Sequence, residues 1–158
     1  MESLAIKKYP DKLLRKQCLP IEKITEKEIK LFGNMLFTME HFSGIGLAAP
    51  QIGVLERLIV AEVEGRIIKL ANPEILKTKG ADNMKEGCLS VPDLGVDIER
   101  SYEATIKGLN EKGQTVGIKA KGLLARVLQH EIDHLYGKLI VDYLPFWEKF
   151  EFRIKVKR

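Results

Sequence analysis

Apolar residues recur along the chain with two different periods. Between Thr25 and Phe42 they fall at Ile29, Phe32, Met35, Leu36, Met39 and Phe42, the spacing that gathers side chains on one face of a helix. Thr25, followed three residues later by Glu28, has the form of a capping box, and Ser43-Gly44 supplies the stop. This Met and Phe stripe reads as core packing. Apolar runs over Arg57–Val63 and Arg66–Ala71 flank Glu64-Gly65 and predict a hairpin. Asn72-Pro73 breaks the second run, and Glu74 to Thr78 is expected to form a separate short strand. A second hairpin is predicted over Tyr102–Lys107 and Gln114–Ala120, turning near Asn110 and Gly113. Helical spacing returns from Gly122 to Tyr136, and Gly137 closes it. Residues 10–20, bracketed by Pro10 and Pro20, have room for a turn of helix. The tail from Leu144 fits a short helix or an irregular strand. Strands grouped in the middle, with helices on either side, predict an α+β fold rather than a regular βαβ alternation. The expected arrangement is antiparallel sheets around the central Gly122–Tyr136 helix, with another helix near the N-terminus.

Composition narrows this picture only a little. The 158 residues fit one domain, 1–158, and 45% hydrophobic with 30% charged residues is ordinary for a globular chain. No apolar run reaches the roughly 18–20 residues of a membrane helix, so no membrane partner is expected. The N-terminal MESLAIKKYPDKLLRKQCLP lacks the apolar centre of a signal peptide, and it carries acids and little Ser or Arg, a poor fit to a transit peptide, which points to the cytoplasm. Two cysteines are too few for a disulfide scaffold. The net charge is +4, with a basic cluster at Arg153-Ile154-Lys155-Val156-Lys157-Arg158. That cluster reads first as a solvated surface and second as a weak contact with anionic RNA. No nucleic-acid-binding motif is present, and DNA is not an expected partner.

The chemistry concentrates in His130-Glu131-Ile132-Asp133-His134. Histidines four apart share one helical face and can reach one metal ion. Glu131 projects about 100° around the helix from His130, placed to act on a water rather than to ligate. Leu123, Val127, His130 and His134 follow 4-3-4 spacing, so the histidine pair continues an apolar stripe and points inward, where imidazoles need polar partners. A catalytic site of this kind wants a third protein ligand. No histidine follows His134, which excludes the three-histidine protease motif. Two candidates remain open on the residues alone: a downstream carboxylate (Asp142, Glu148 or Glu151), which would make a zinc endopeptidase, or Cys88. A purely structural metal in a binding module is the third reading. His41 and Cys18 read as structural.

Three segments together resemble one family. Gly44-Ile45-Gly46-Leu47-Ala48-Ala49-Pro50-Gln51, Glu86-Gly87-Cys88-Leu89-Ser90 and Gln129-His130-Glu131-Ile132-Asp133-His134-Leu135-Tyr136-Gly137 are similar, in order and separation, to the motifs of the peptide deformylases. The resemblance spans essentially the whole chain. It implies removal of the formyl group from N-formylmethionine on nascent polypeptides. It implies one divalent metal held by Cys88, His130 and His134, with Fe(II) expected natively and zinc, nickel or cobalt suiting the same donors. Glu131 becomes the general base and acid, while the Gln51 side chain and the Leu89 backbone N–H become the oxyanion donors. Leu123, Val127 and Ile45 would enclose the methionine side chain, and the backbones of Gly46 and Gly87 would pair with the peptide. Two departures stand out. Arg126 occupies a position that is often apolar in relatives, and its apolar stem is expected to reach the pocket rim. Asp93-Leu94-Gly95-Val96 lacks a basic residue that some relatives carry, while Arg100 matches a recurrent arginine.

Overall fold

Residues 1–158 are described by the computed structural model. Helix α1 (Glu26–His41) begins where the capping box predicts, with the Thr25 N–H donating to the Glu28 carboxylate at 2.8 Å. Phe32, Met35 and Met39 are buried, whereas Ile29 and Phe42, at the ends of the stripe, stay 47% and 41% exposed. Strands β1 (Gly46–Ala48), β2 (Leu58–Val63) and β3 (Arg66–Lys79) follow. Next come β4 (Asp82–Cys88), β5 (Val91–Arg100), β6 (Glu103–Leu109) and β7 (Thr115–Lys121). Helix α2 (Gly122–Leu135) carries the two histidines, and α3 (Phe146–Val156) ends the chain. The tail is therefore a helix.

Five strands form one antiparallel sheet in the order β1-β2-β3-β6-β7, and β4 and β5 form a separate antiparallel pair. β2 is apolar from Leu58 to Ala61 because both of its faces are covered there: Leu58 and Val60 pack with α1, and Ile59 and Ala61 pack with α2. Glu64 and Gly65, with φ of 53° and 77°, make the tight β2–β3 turn. Asn72-Pro73 does not end β3. Asn72 takes a left-handed φ of 49°, a register shift absorbs the proline, and the strand runs on to Lys79.

The largest departure from the sequence pattern lies at 82–100. The pattern assigns no element there, yet the segment is a hairpin that turns at Leu89-Ser90. Cys88 is the last residue of β4 and pairs with Val91, the first residue of β5. Helix α2 stops after Leu135. The Gly137 N–H bonds the His134 carbonyl at 3.1 Å and the Lys138 N–H bonds the Asp133 carbonyl at 3.0 Å, with Gly137 at φ 73°.

Candidate metal centre

His130 and His134 lie on the inward face of α2, one turn apart. His134 is buried, and Cys88 reaches the pair from the end of β4. Cys88 Sγ lies 3.4 Å from His134 Nε2, which lies 3.2 Å from His130 Nε2. All three donor atoms fall within 4.8 Å of one another. Tetrahedral bond lengths to nitrogen and sulfur imply edges of roughly 3.3 Å between nitrogens and 3.5 Å between nitrogen and sulfur, so this donor set fits a single cation. His134 Nδ1 and Glu131 Oε2 are buried polar atoms with no protein partner. Burial holds the His134 imidazole well below its ordinary pKa, in the neutral form that ligates metals.

The surrounding groups orient these donors. Glu86 Oε1 bonds His130 Nδ1 at 2.8 Å, which aims Nε2 at Cys88 and His134. Burial opposes charge on Glu86, yet hydrogen bonds from His130 and Arg100 outweigh it and bring its pKa down to about 2. Arg100 grips Glu86 with two bonds, of 2.6 and 2.9 Å, and reaches Asp133 on α2 at 3.0 Å. Glu131 points into the cleft beside the donors, with Oε1 4.0 Å from His130 Nε2. Burial pushes its carboxyl up to about 7, partly offset by nearby positive charge. Gln51 is fixed at its oxygen by the Ala48 N–H at 2.9 Å. Its Nε2 points to Ser90 Oγ at 3.1 Å and Cys88 Sγ at 3.6 Å.

An open cleft of about 540 Å³ runs across these groups. Ile45, Gly46, Gln51, Gly87, Cys88, Leu89, Leu123, Val127, His130 and Glu131 all line it, and His134 sits behind the other donors. The sequence-predicted site residues therefore gather at one place. Gly46 belongs to β1, an outer strand of the five-stranded sheet, and Gly87 to β4, whose only partner is β5. The downstream acids do not join the histidines. Asp142 accepts from Arg15 at 2.6 Å and from the Leu139 N–H at 2.9 Å, and Glu148 and Glu151 are exposed on α3. The endopeptidase reading loses its third ligand.

Arg126 lines the cleft, as expected of its stem. Its guanidinium turns away from solvent into the protein. The residue is 3% exposed and donates to Glu86 at 2.6 Å and to the carbonyls of Asp82 and Ile98 at 2.7 and 2.9 Å. The signal for this was present in the sequence, because 126, 130 and 134 share the four-residue spacing of one helical face. Glu86, Ser90 and Met84 are further residues at the site without a sequence-assigned role.

A family model described as polypeptide deformylase matches residues 3–150. The chain is 49% identical over 144 residues to the peptide deformylase of Halothermothrix orenii, covering 90% of this chain and 94% of that protein. It is 46% identical over 162 aligned positions to that of Thermodesulfovibrio yellowstonii, covering 99% and 98%. The crystal structure of a peptide deformylase from Legionella pneumophila superposes with a TM-score of 0.93 at 41% identity, covering 99% of this chain and 94% of that one.

Proposed function

Because this chain belongs to the polypeptide deformylase family, metal-dependent enzymes that remove N-formyl groups from nascent peptides, we propose that Cys88, His130 and His134 hold its cation and that Glu131 moves the proton. The observation that carries this reading is the meeting of one sulfur and two imidazole nitrogens within 4.8 Å beside a buried, half-unpartnered carboxylate. Their mixed softness favours Fe(II) as the native ion, with zinc, nickel or cobalt as substitutes. Bound there, the cation supplies Lewis acidity toward water and the formyl oxygen.

The side chains do the rest. Ile45, Leu123 and Val127 enclose the methionine side chain. The outer strands holding Gly46 and Gly87 accept the peptide backbone by strand addition. Glu131 takes a proton from the attacking water, and its shift toward neutrality suits a group that must also give the proton back. As the formyl carbon becomes tetrahedral, the Gln51 amide and the Leu89 N–H donate to its oxygen, each worth roughly 2.7–4 kcal/mol in comparable sites. Glu131 then protonates the leaving amine, giving formate and a free N-terminus.

Two variants test these assignments. Cys88→Ser is expected to lose the metal and turnover together; full occupancy with unchanged turnover contradicts the ligand set. Glu131→Ala is expected to keep the metal and lose hydrolysis; unchanged hydrolysis would make the metal structural. We further read residues 1–158 as one catalytic domain that meets nascent chains in the bacterial cytoplasm. The basic cluster Arg153–Arg158 is its weak contact with the ribosome. Ribosome co-sedimentation unaffected by removal of Arg153–Arg158 would discard that contact.

A further inference from the structure

We propose that Arg126 is a positioning residue of the metal centre, latching the β4–β5 hairpin to α2 so that Cys88 stands opposite the two histidines before a cation arrives. The inference rests on the reading that Cys88, His130 and His134 are the ligands. Those ligands come from two separate pieces of structure. His130 and His134 ride on α2, which packs on the five-stranded sheet, whereas Cys88 ends a strand of the other sheet. Something other than the metal must set the distance between them if the site is to be ready for its ion.

Arg126 meets that need by its position and its contacts. It lies one helical turn before His130, on the same face. Its guanidinium spans to three acceptors on the hairpin: Glu86 and the Asp82 carbonyl on β4, and the Ile98 carbonyl on β5. Glu86 stands two residues before Cys88 in the same strand, and its second oxygen returns to His130 Nδ1 at 2.8 Å. Arg126, Glu86 and His130 thus close a loop from helix to strand and back to helix, beside the cysteine. A planar guanidinium can satisfy such spread acceptors at fixed angles, and a lysine ammonium cannot. Arg100 provides a parallel tie through Asp133, whose side chain is 24% exposed, against 4% for that of Arg126. The Arg126 residue also lines the cleft, and methionine at this position would keep an apolar stem there. Glu86 would retain its two bonds from Arg100, so Arg126→Met leaves no buried carboxylate without a cation beside it.

The test compares the rate at which zinc-loaded, full-length protein releases zinc to a chromogenic chelator. Arg126→Met is expected to release zinc about 10–100-fold faster than wild type, the usual effect of losing an outer-shell partner. Its KM for a formyl-Met peptide should stay within about twofold, because methionine keeps an apolar stem on the cleft wall and the other lining residues are unchanged. Arg126→Lys, which keeps the charge and reaches one acceptor, should fall between the two and keeps the test open if the methionine variant does not fold. A purely structural arginine would lower the melting temperature without changing zinc release, so a wild-type release rate in a folded variant overturns the proposal. Cys88→Ser in parallel separates the two claims. If it keeps zinc at full stoichiometry, the ligand set itself is wrong. If it loses zinc while Arg126→Met releases zinc at the wild-type rate, only the latch is wrong.

Discussion

At Gly46 the site leaves no room for a side chain. A Cβ there would overlap the Glu131 carboxylate and lie 2.8 Å from Val127 Cγ1. Gly46→Ala must therefore move the proposed base, and a displacement near 1 Å costs about 100-fold in turnover. A drop of that size in kcat, with unchanged circular dichroism, is the expected result. Glu131→Gln removes the base without moving it. Turnover should fall by about 10²–10⁴-fold, the usual worth of general acid–base catalysis, while bound metal measured by elemental analysis stays unchanged. Both Gln51 and Glu131 are legible in the sequence because their neighbours in the chain form a motif. The partner of Arg126 is not legible, because Glu86 lies 40 positions away on a strand that periodicity does not reveal.

The elements differ in how plainly their sequences announce them. Helices α1 and α2 each bury one face, so their apolar spacing survives in the sequence, and β2–β3 is marked by its turn. β4 hides because it is mostly exposed: of Asp82–Cys88, only Glu86 is buried, and it is charged. β5 does alternate, with Val96, Ile98 and Arg100 buried between exposed Asp97 and Glu99, but an arginine in the buried series masks the period. β3 is read as two pieces because a proline and a left-handed asparagine sit inside it. The short 3-10 turn Ile140–Tyr143 carries a pH-dependent tie of its own. Burial raises the Asp142 carboxyl, but Arg15 and the Leu139 N–H more than offset this and hold it below its ordinary value of 3.8. A depressed carboxyl stabilises the fold above its unfolded pKa and loses that contribution as pH falls through the folded one. Asp142→Asn should therefore be less stable than wild type in urea at pH 7, with the gap closing as pH drops below about 4. A gap that is constant with pH would deny the charge any part in it.

For the whole molecule, the proposed ligand set spans two sheets, with α2 packed on one and Cys88 carried by the other. A cation held between them binds the folded chain and not the unfolded one. Chelation should lower the melting temperature, since occupancy at 1,000 times the dissociation constant contributes about 4 kcal/mol. Identical melting curves with and without the metal would place the cation elsewhere. The fold class was open to sequence reasoning because helices and hairpins segregate along the chain. The docking of hairpin against helix was not, because it is made by buried charges rather than by an apolar stripe. The role proposed for the Cys88, His130 and His134 cluster is metal-dependent deformylation. It is tested most directly by following formate release from a formyl-Met peptide in one anaerobic preparation while the bound metal is titrated out and restored. The prediction is release in proportion to occupancy, with one cation per chain at full activity. Undiminished release from the metal-free chain, or none from the loaded one, would contradict it.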